Sequence, residues 1–473
     1  MSMTTQVGHT LGEATIAELR GTIEGSLSIP DDPDFDQARK VWNDVIDRRP
    51  ALVLRCTGVA DVIAGVSFAR SEGLPIAVRG GAHSIAGFST CDGGVVLDLG
   101  SMNAVHVDPQ AQRARVQGGA LWKHIDRESQ VYGLATTGGL VSSTGVGGFA
   151  LGGGIGHLAR KYGLTCDNLL SAEMVTADGQ LVRADENENS DLSWGLRGGS
   201  SNFGVVTSME LAMHPVGPVV MGGVIFYPGE QAAQVLRGWR EAVAGTPDEL
   251  TTVANLTSAP PLPVLPEKVH GQKVAAVLAC WAGPHDEGEQ VLAPLRALGE
   301  PITDLLGPIP YVALQQLLDP LWTRGASNYF TSAFLDELPD AAVDIYAGAH
   351  RQAEGPPALC ELHVHQLGGA VGRVPAGATA FAERGAPYVI NCIARTPAGV
   401  DPAPTFAWAR DTRSAMAGYG SGSMYVNFTP EGGEQPARAS YPAETYRRLA
   451  ELKRRYDPDN TFRFNQNVLP ANG

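Results

Sequence analysis

The 473-residue chain sets 35 lysines and arginines against 50 aspartates and glutamates, a net charge of -15 with a pI near 5.2, and so lacks the phosphate-neutralising surface of a general nucleic-acid binder. Its length suits two domains of roughly 150 to 250 residues, and with a mean hydropathy of -0.06 no uncharged apolar run reaches the roughly 18 residues of a membrane span. The six cysteines, Cys56, Cys91, Cys166, Cys280, Cys360 and Cys392, lie far apart with no CxxC pair, which excludes a disulfide scaffold or a cysteine zinc site and fits a reducing cytoplasm.

Residues 1–21 lack the basic-then-apolar order of a signal peptide and read as a polar tail entering a short amphipathic helix, so a cytoplasmic location is expected. Ala51 to Cys56 reads as a strand and Asp61 to Glu72 as a helix. Pro75 to Val78 reads as a buried strand running into Arg79-Gly80-Gly81-Ala82-His83, which completes a βαβ opening. Gly94 to Leu99, Val105 to Asp108 and Arg113 to Gly119 follow as strands, then a helix over Leu121 to Tyr132. The pattern is α+β.

The texture changes near His214-Pro215. Beyond it, Val219 to Tyr227, Leu250 to Ser258, Lys273 to Ala282, Cys360 to Gly368 and Tyr388 to Arg395 read as strands of an antiparallel sheet. Helices with apolar residues at three-to-four spacing lie between them, over Gln231 to Ala244, Glu287 to Leu298, Ala341 to Glu354 and Pro404 to Gly418. One sheet face is therefore expected to be covered and the other left free for a substrate. A basic amphipathic helix over Ala443 to Tyr456 ends at Asp457-Pro458.

Glycine, 57 residues and about 12 % of the chain against an average near 7 %, marks two loops. Arg79 to Ser89 follows a strand and offers successive backbone N–H groups of the kind that cradle a pyrophosphate. Gly145-x-Gly147-x-x-Ala150, with Asp167 downstream, formally matches a dinucleotide fingerprint. A helix started there would contain Gly152, Gly153, Gly154 and Gly156 at about 1 kcal/mol each. We therefore read this stretch as backbone lying against a flat, extended ligand rather than as a nicotinamide site.

Several stretches in this order resemble the berberine-bridge-enzyme-like branch of the vanillyl-alcohol-oxidase and p-cresol-methylhydroxylase flavoproteins, which includes bacterial 6-hydroxynicotine oxidases and oligosaccharide oxidases. They are Arg79 to Ser89, Gly145 to Gly156, Tyr162 to Asn168, Trp194 to Thr207, Tyr425-Val426-Asn427-Phe428 and Tyr456 to Asn467. The resemblance spans nearly the whole chain. It implies an FAD-binding domain of two subdomains over 1–212, a substrate domain with a helix-covered antiparallel sheet over 213–424, and a segment over 425–473 that returns to the first.

The resemblance implies that FAD is held by Arg79, Gly80, Gly81, Ala82, His83, Ser84 and Gly87 of the first loop. It adds Thr144, Gly145, Gly148, Gly152, Gly153 and Gly154 of the second, with Asn168, Gly204, Val206, Asn465 and Asn467. His83 falls on the family's flavin-linking histidine, which bonds the 8α-methyl of the isoalloxazine. The family's second linkage, through cysteine, would fall at Val141, which cannot form it. Thr144 stands where the family's oxygen gatekeeper is more often small and apolar. The resemblance implies oxygen as the acceptor, while Thr144 keeps a flavin-dependent dehydrogenase or an oxygenase open, with a nicotinamide-dependent dehydrogenase as a further alternative.

Oxidising an alcohol or amine carbon requires a hydride acceptor and a base for the heteroatom proton. Tyr425 of Tyr-Val-Asn-Phe resembles the tyrosine that faces the flavin in the family and is the first candidate base, although a phenol near pKa 10 needs a cation beside it to act near neutrality. Glu361, His363 and His365 alternate along one predicted strand and so share a face. The face reads most simply as a substrate wall. A zinc site and a solvated sheet face are the competing readings. Asn391 on the next strand is expected to point the same way. The substrate expected is a small hydrogen-bonding molecule, with sugars, amines, N-heterocycles and polyketide alcohols all open.

Overall fold

The computed structural model describes residues 11–472, so most of the N-terminal tail lies outside the described residues. The first sheet orders its strands Ser26–Ser28, Leu52–Arg55, Val95–Asp98 and Ile76–Arg79, the last three parallel. The helix Val59–Ser71 makes the crossover. It buries Val62 and Val66 against Leu54, Leu97 and Ile76.

A second, antiparallel sheet runs Val105–Asp108, Arg113–Gln117, Val205–Ala212, Leu169–Val175 and Leu181–Ala184. The helix Ala443–Tyr456 packs Leu449, Leu452 and Tyr456 into the core beneath it, beside Trp194 and Phe203. The Lys453 ammonium is fully buried and donates to the carbonyls of Asn202 and Phe462 and to the Asp457 carboxylate, each at 2.7 Å.

The third sheet is antiparallel, in the order Thr303–Asp304, Val219–Pro228, Lys273–Trp281, Leu250–Ser258, Leu359–Gln366, Tyr388–Pro397 and Ala326–Leu335, with Gly307–Pro310 also on Val219–Pro228. Its alternation is clean. Ala254, Leu256, Leu362, Val364, Ile390 and Cys392 face a core closed by Trp239, Leu292, Tyr346 and Ala409 of the helices Ala232–Val243, His285–Arg296, Asp340–Gln352 and Ala403–Ala415. The intervening residues point away from these helices. Asn255, His363 and Asn391 pair across three adjacent strands, so they form one row on the uncovered face.

Two elements differ from the sequence reading. Ala326–Leu335 forms a ten-residue edge strand that was not anticipated. A helix does start at Gly145, but it spans only Val146–Leu151, so Gly152, Gly153 and Gly154 lie beyond its end rather than inside it. No helix among the described residues is long and apolar enough to cross a membrane.

Candidate active site

A cavity of about 290 Å³ separates the first sheet from the uncovered face of the third. Ile76, Val78, Phe462 and Phe464 line one end, and His363, His365, Asn391 and Phe330 the other. The middle is glycine backbone. A Cβ on Gly81 would collide with the backbone nitrogen of Gly145, and one on Gly145 with that of Gly81, so only glycine lets these loops meet back to back. A Cβ on Gly148 would meet nothing within 4 Å and would project into open space along the same wall. Ala82 and Ser200, two lining residues, hold φ of 61° and 63°. Such backbone costs about 1–3 kcal/mol in a residue with a side chain and clusters where a ligand is clamped.

His83 projects into this cavity from the first loop. Its ring stacks on Trp42, with centroids 4.8 Å apart, and its Nε2 lies 3.0 Å from Ser143 Oγ. Burial, aided by the positive charge of Arg324, pushes its pKa down to about 3, so the imidazole is neutral and keeps a nucleophilic lone pair. Val141 and Thr144 also line the cavity, whereas none of the six buried, free cysteines does.

At the other end, His363 Nε2 lies 3.4 Å from Glu361 Oε2, and the other Glu361 oxygen accepts from Thr257 Oγ1 at 2.9 Å and Asn255 Nδ2 at 3.3 Å. Burial opposes ionisation of Glu361, but the contact with His363 and the hydrogen bonds from Thr257 and Asn255 outweigh it and hold the carboxyl below its usual range. His365 is held far below its usual pKa by burial and by the neighbouring His363 and His157. Among the described residues no three histidine, cysteine or carboxylate groups are arranged to hold a metal ion.

The sequence of residues 50–185 matches the family described as FAD binding domain, and residues 424–469 match the family described as berberine and berberine like. An FAD-linked oxidoreductase of Dictyostelium discoideum is 32% identical over 460 residues, covering 96% of this chain and 97% of its own. The (R)-6-hydroxynicotine oxidase of Paenarthrobacter nicotinovorans is 32% identical over 472 residues, covering 95% and 97%. The chain belongs to the berberine-bridge-enzyme-like FAD-linked oxidoreductases. The crystal structure of 6-hydroxy-D-nicotine oxidase from Arthrobacter nicotinovorans superposes with a TM-score of 0.86 at 30% identity, covering 95% of this chain and 98% of that one.

The cavity suits the cofactor of this oxidoreductase family. Asn465 Oδ1, Gln466 Oε1, Asn391 Oδ1 and His365 Nε2 are buried in its walls without a hydrogen-bond partner in the protein. With the exposed backbone at Gly148, they form a polar lining that a flat, hydrogen-bonding ligand would satisfy.

Of the residues expected to bind FAD, Gly80, Gly81, Ala82, His83, Ser84, Thr144, Gly145, Gly148, Gly204, Val206 and Asn465 line the cavity. The others do not. The Arg79 side chain turns inward, donating to the carbonyls of Ser89, Ala38 and Arg39 and pairing with Asp98 at 3.6 Å, so it anchors the loop. Gly87 holds a turn at φ 75°, over Ile46. Gly152 packs on Asn427, and Gly153 on Phe381 and Tyr425. Gly154 packs on Thr165 and Phe149. Asn168 donates to Tyr162 O and Leu164 O while its Oδ1 meets His214 Nε2 at 2.6 Å. Asn467 is buried away from the lining.

Tyr425 lies behind the cavity wall rather than in it. It is 1% exposed and absent from the lining, although Val426, Asn427 and Phe428 beside it are present. Its hydroxyl accepts from Gly154 N–H and Asn427 Nδ2, both at 2.8 Å, and burial raises its pKa far above that of a free phenol. Its hydroxyl thereby braces the glycine loop. Glu361 also lies off this cavity, one layer behind His363. Trp42, Trp322 and Phe330 line the cavity and were not anticipated, because no local motif marks them.

Proposed function

We propose that this FAD-linked oxidoreductase is an oxidase of an alcohol or amine carbon in a small molecule, with its flavin linked to one histidine, His83. The supporting observation is the neutral His83 imidazole fixed in the cavity wall between Trp42 and Ser143. Held there by His83 and the glycine loops, FAD would supply a two-electron hydride acceptor, with molecular oxygen as the terminal oxidant.

The uncovered face of the third sheet orients the substrate. His363 accepts the heteroatom proton, with the Glu361 carboxylate behind it at 3.4 Å stabilising the imidazolium that forms. His365, kept neutral by burial, and Asn391 supply hydrogen bonds that fix the reacting carbon. Thr144 in the lining favours keeping a dehydrogenase or oxygenase as the second reading.

The test begins with acid precipitation. Yellow colour should remain in the wild-type pellet and be lost in His83→Ala, while a colourless wild-type pellet would overturn the linkage. Reduced protein mixed with air-saturated buffer should reoxidise faster than free flavin. Slower reoxidation assigns a dehydrogenase, and a persistent oxygenated spectrum assigns an oxygenase.

A further inference from the structure

A second cavity, of about 80 Å³, adjoins the first and shares Leu140, Leu318, Trp322 and His363 with it. Val224, Phe226, Val253, Ala276 and Leu278 of the third sheet line it, and Leu262 closes it from a loop. Its polar groups gather on the two strands nearest His363. There Asn255 Oδ1 and Ser258 Oγ are buried without a partner, their residues 7% and 3% exposed.

This largely apolar chamber borders the proposed proton acceptor and lies apart from the glycine cradle proposed to hold the cofactor. We infer that it takes an apolar arm of the substrate, so that the substrate is an elongated aryl or alkyl alcohol or amine rather than a sugar. This rests on the reading of the first cavity as the flavin and reaction site. A hydroxyl-rich ring would leave its groups unpaired against Val224, Phe226, Ala276 and Leu278. An alkyl or aryl arm buries the same surface favourably and leaves Asn255 and Ser258 to hold one polar substituent.

Anaerobic calorimetric titration of the dithionite-reduced holoenzyme with benzyl alcohol, 3-phenylpropan-1-ol and xylobiose tests this without turnover, because the reduced flavin accepts no hydride. The two added methylenes should tighten binding roughly tenfold, with a negative heat-capacity change. Xylobiose should bind more weakly than either alcohol. Ala276→Phe fills the chamber from the sheet and Leu262→Trp from the loop, and either should abolish the gain from the longer arm while leaving benzyl alcohol unchanged. Equal affinity for the two alcohols, tighter binding of xylobiose, absence of binding by both alcohols, or an undiminished gain in Leu262→Trp overturns the inference. Failure of the flavin reading is seen separately, as native purified protein that shows no flavin absorbance.

Discussion

Trp42 lies flat against His83, with an interplanar angle of 19°, and on its indole the guanidinium of Arg395 rests 5.6 Å from the ring centroid. The third sheet thus steadies the first loop's histidine through an intermediary ring. The Trp42 backbone N–H donates to Ala82 O at 3.1 Å, which ties the stack to the strained residue before His83. Trp42→Leu should leave the protein folded and lower the fraction of acid-stable flavin several-fold, with Trp42→Phe retaining most of it. Full attachment in Trp42→Leu would show that the ring has no part in orienting His83.

Replacing Tyr425 removes an acceptor shared by the Gly154 N–H and Asn427. Buried donors left without a partner cost about 1–3 kcal/mol, so Tyr425→Phe should lower the melting temperature by several degrees. Single-turnover flavin reduction should slow less than tenfold. His363→Ala should slow it by about 10²-fold or more, the usual worth of a general base. Stopped-flow absorbance compares the two, and the reverse ordering would return the base role to Tyr425.

Asp126 is fully buried on the helix Trp122–Ser129. Burial pushes its pKa up to about 7, against a 3.5 Å contact from Gln315 Nε2 and with help from the charge of Asp319. Its folded-state pKa lies above the unfolded value of about 3.9, so the folded chain binds the extra proton. Its stabilising effect is full below pH 4 and is lost as pH rises through 7. Asp126→Asn mimics the protonated group. It should leave the melting temperature nearly unchanged at pH 4 and raise it at pH 8, by up to about 4 kcal/mol of stability. An equal effect at both pH values would mean that Asp126 does not titrate in this range.

Lys453 carries the C-terminal strip, because its ammonium holds Asn202, Asp457 and Phe462 together. Breaking a buried pair costs about 3–5 kcal/mol. Lys453→Met should therefore destabilise the protein by that amount in urea titration. It should also loosen flavin retention, since Phe462, Phe464, Asn465 and Gln466 of that strip line the cavity. Wild-type stability in Lys453→Met would refute this role.

Periodicity carried most of the architecture. Alternation along Glu361, His363 and His365 correctly put all three on the uncovered face, since a strand admits only two sides. The strand Ala326–Leu335 escaped notice because its cavity side mixes Asn328, Phe330 and Ser332, which dilutes the apolar signal. Tyr425 shows a different limit. A motif places a residue near the flavin, but a one-residue difference in exposure between Tyr425 and Val426 depends on packing against Phe334, Phe381 and Phe428. Trp42 reaches its place only when the sheets close, a non-local event that leaves no trace in neighbouring residues.

The two-sidedness of the third sheet also fixes what kinds of change it can absorb. Substitutions at 361, 363, 365 or 391 alter the walls of the two cavities without touching the helices, so new substrates are accessible by point changes on one parity of positions. Insertion of a single residue in Leu359–Gln366 is different in kind. The strand beyond it would turn over, presenting Leu362 and Val364 to the cavity and thrusting carboxylate and imidazoles among Trp239, Tyr346 and Leu292. Length, not chemistry, is the property this strand has least freedom to vary.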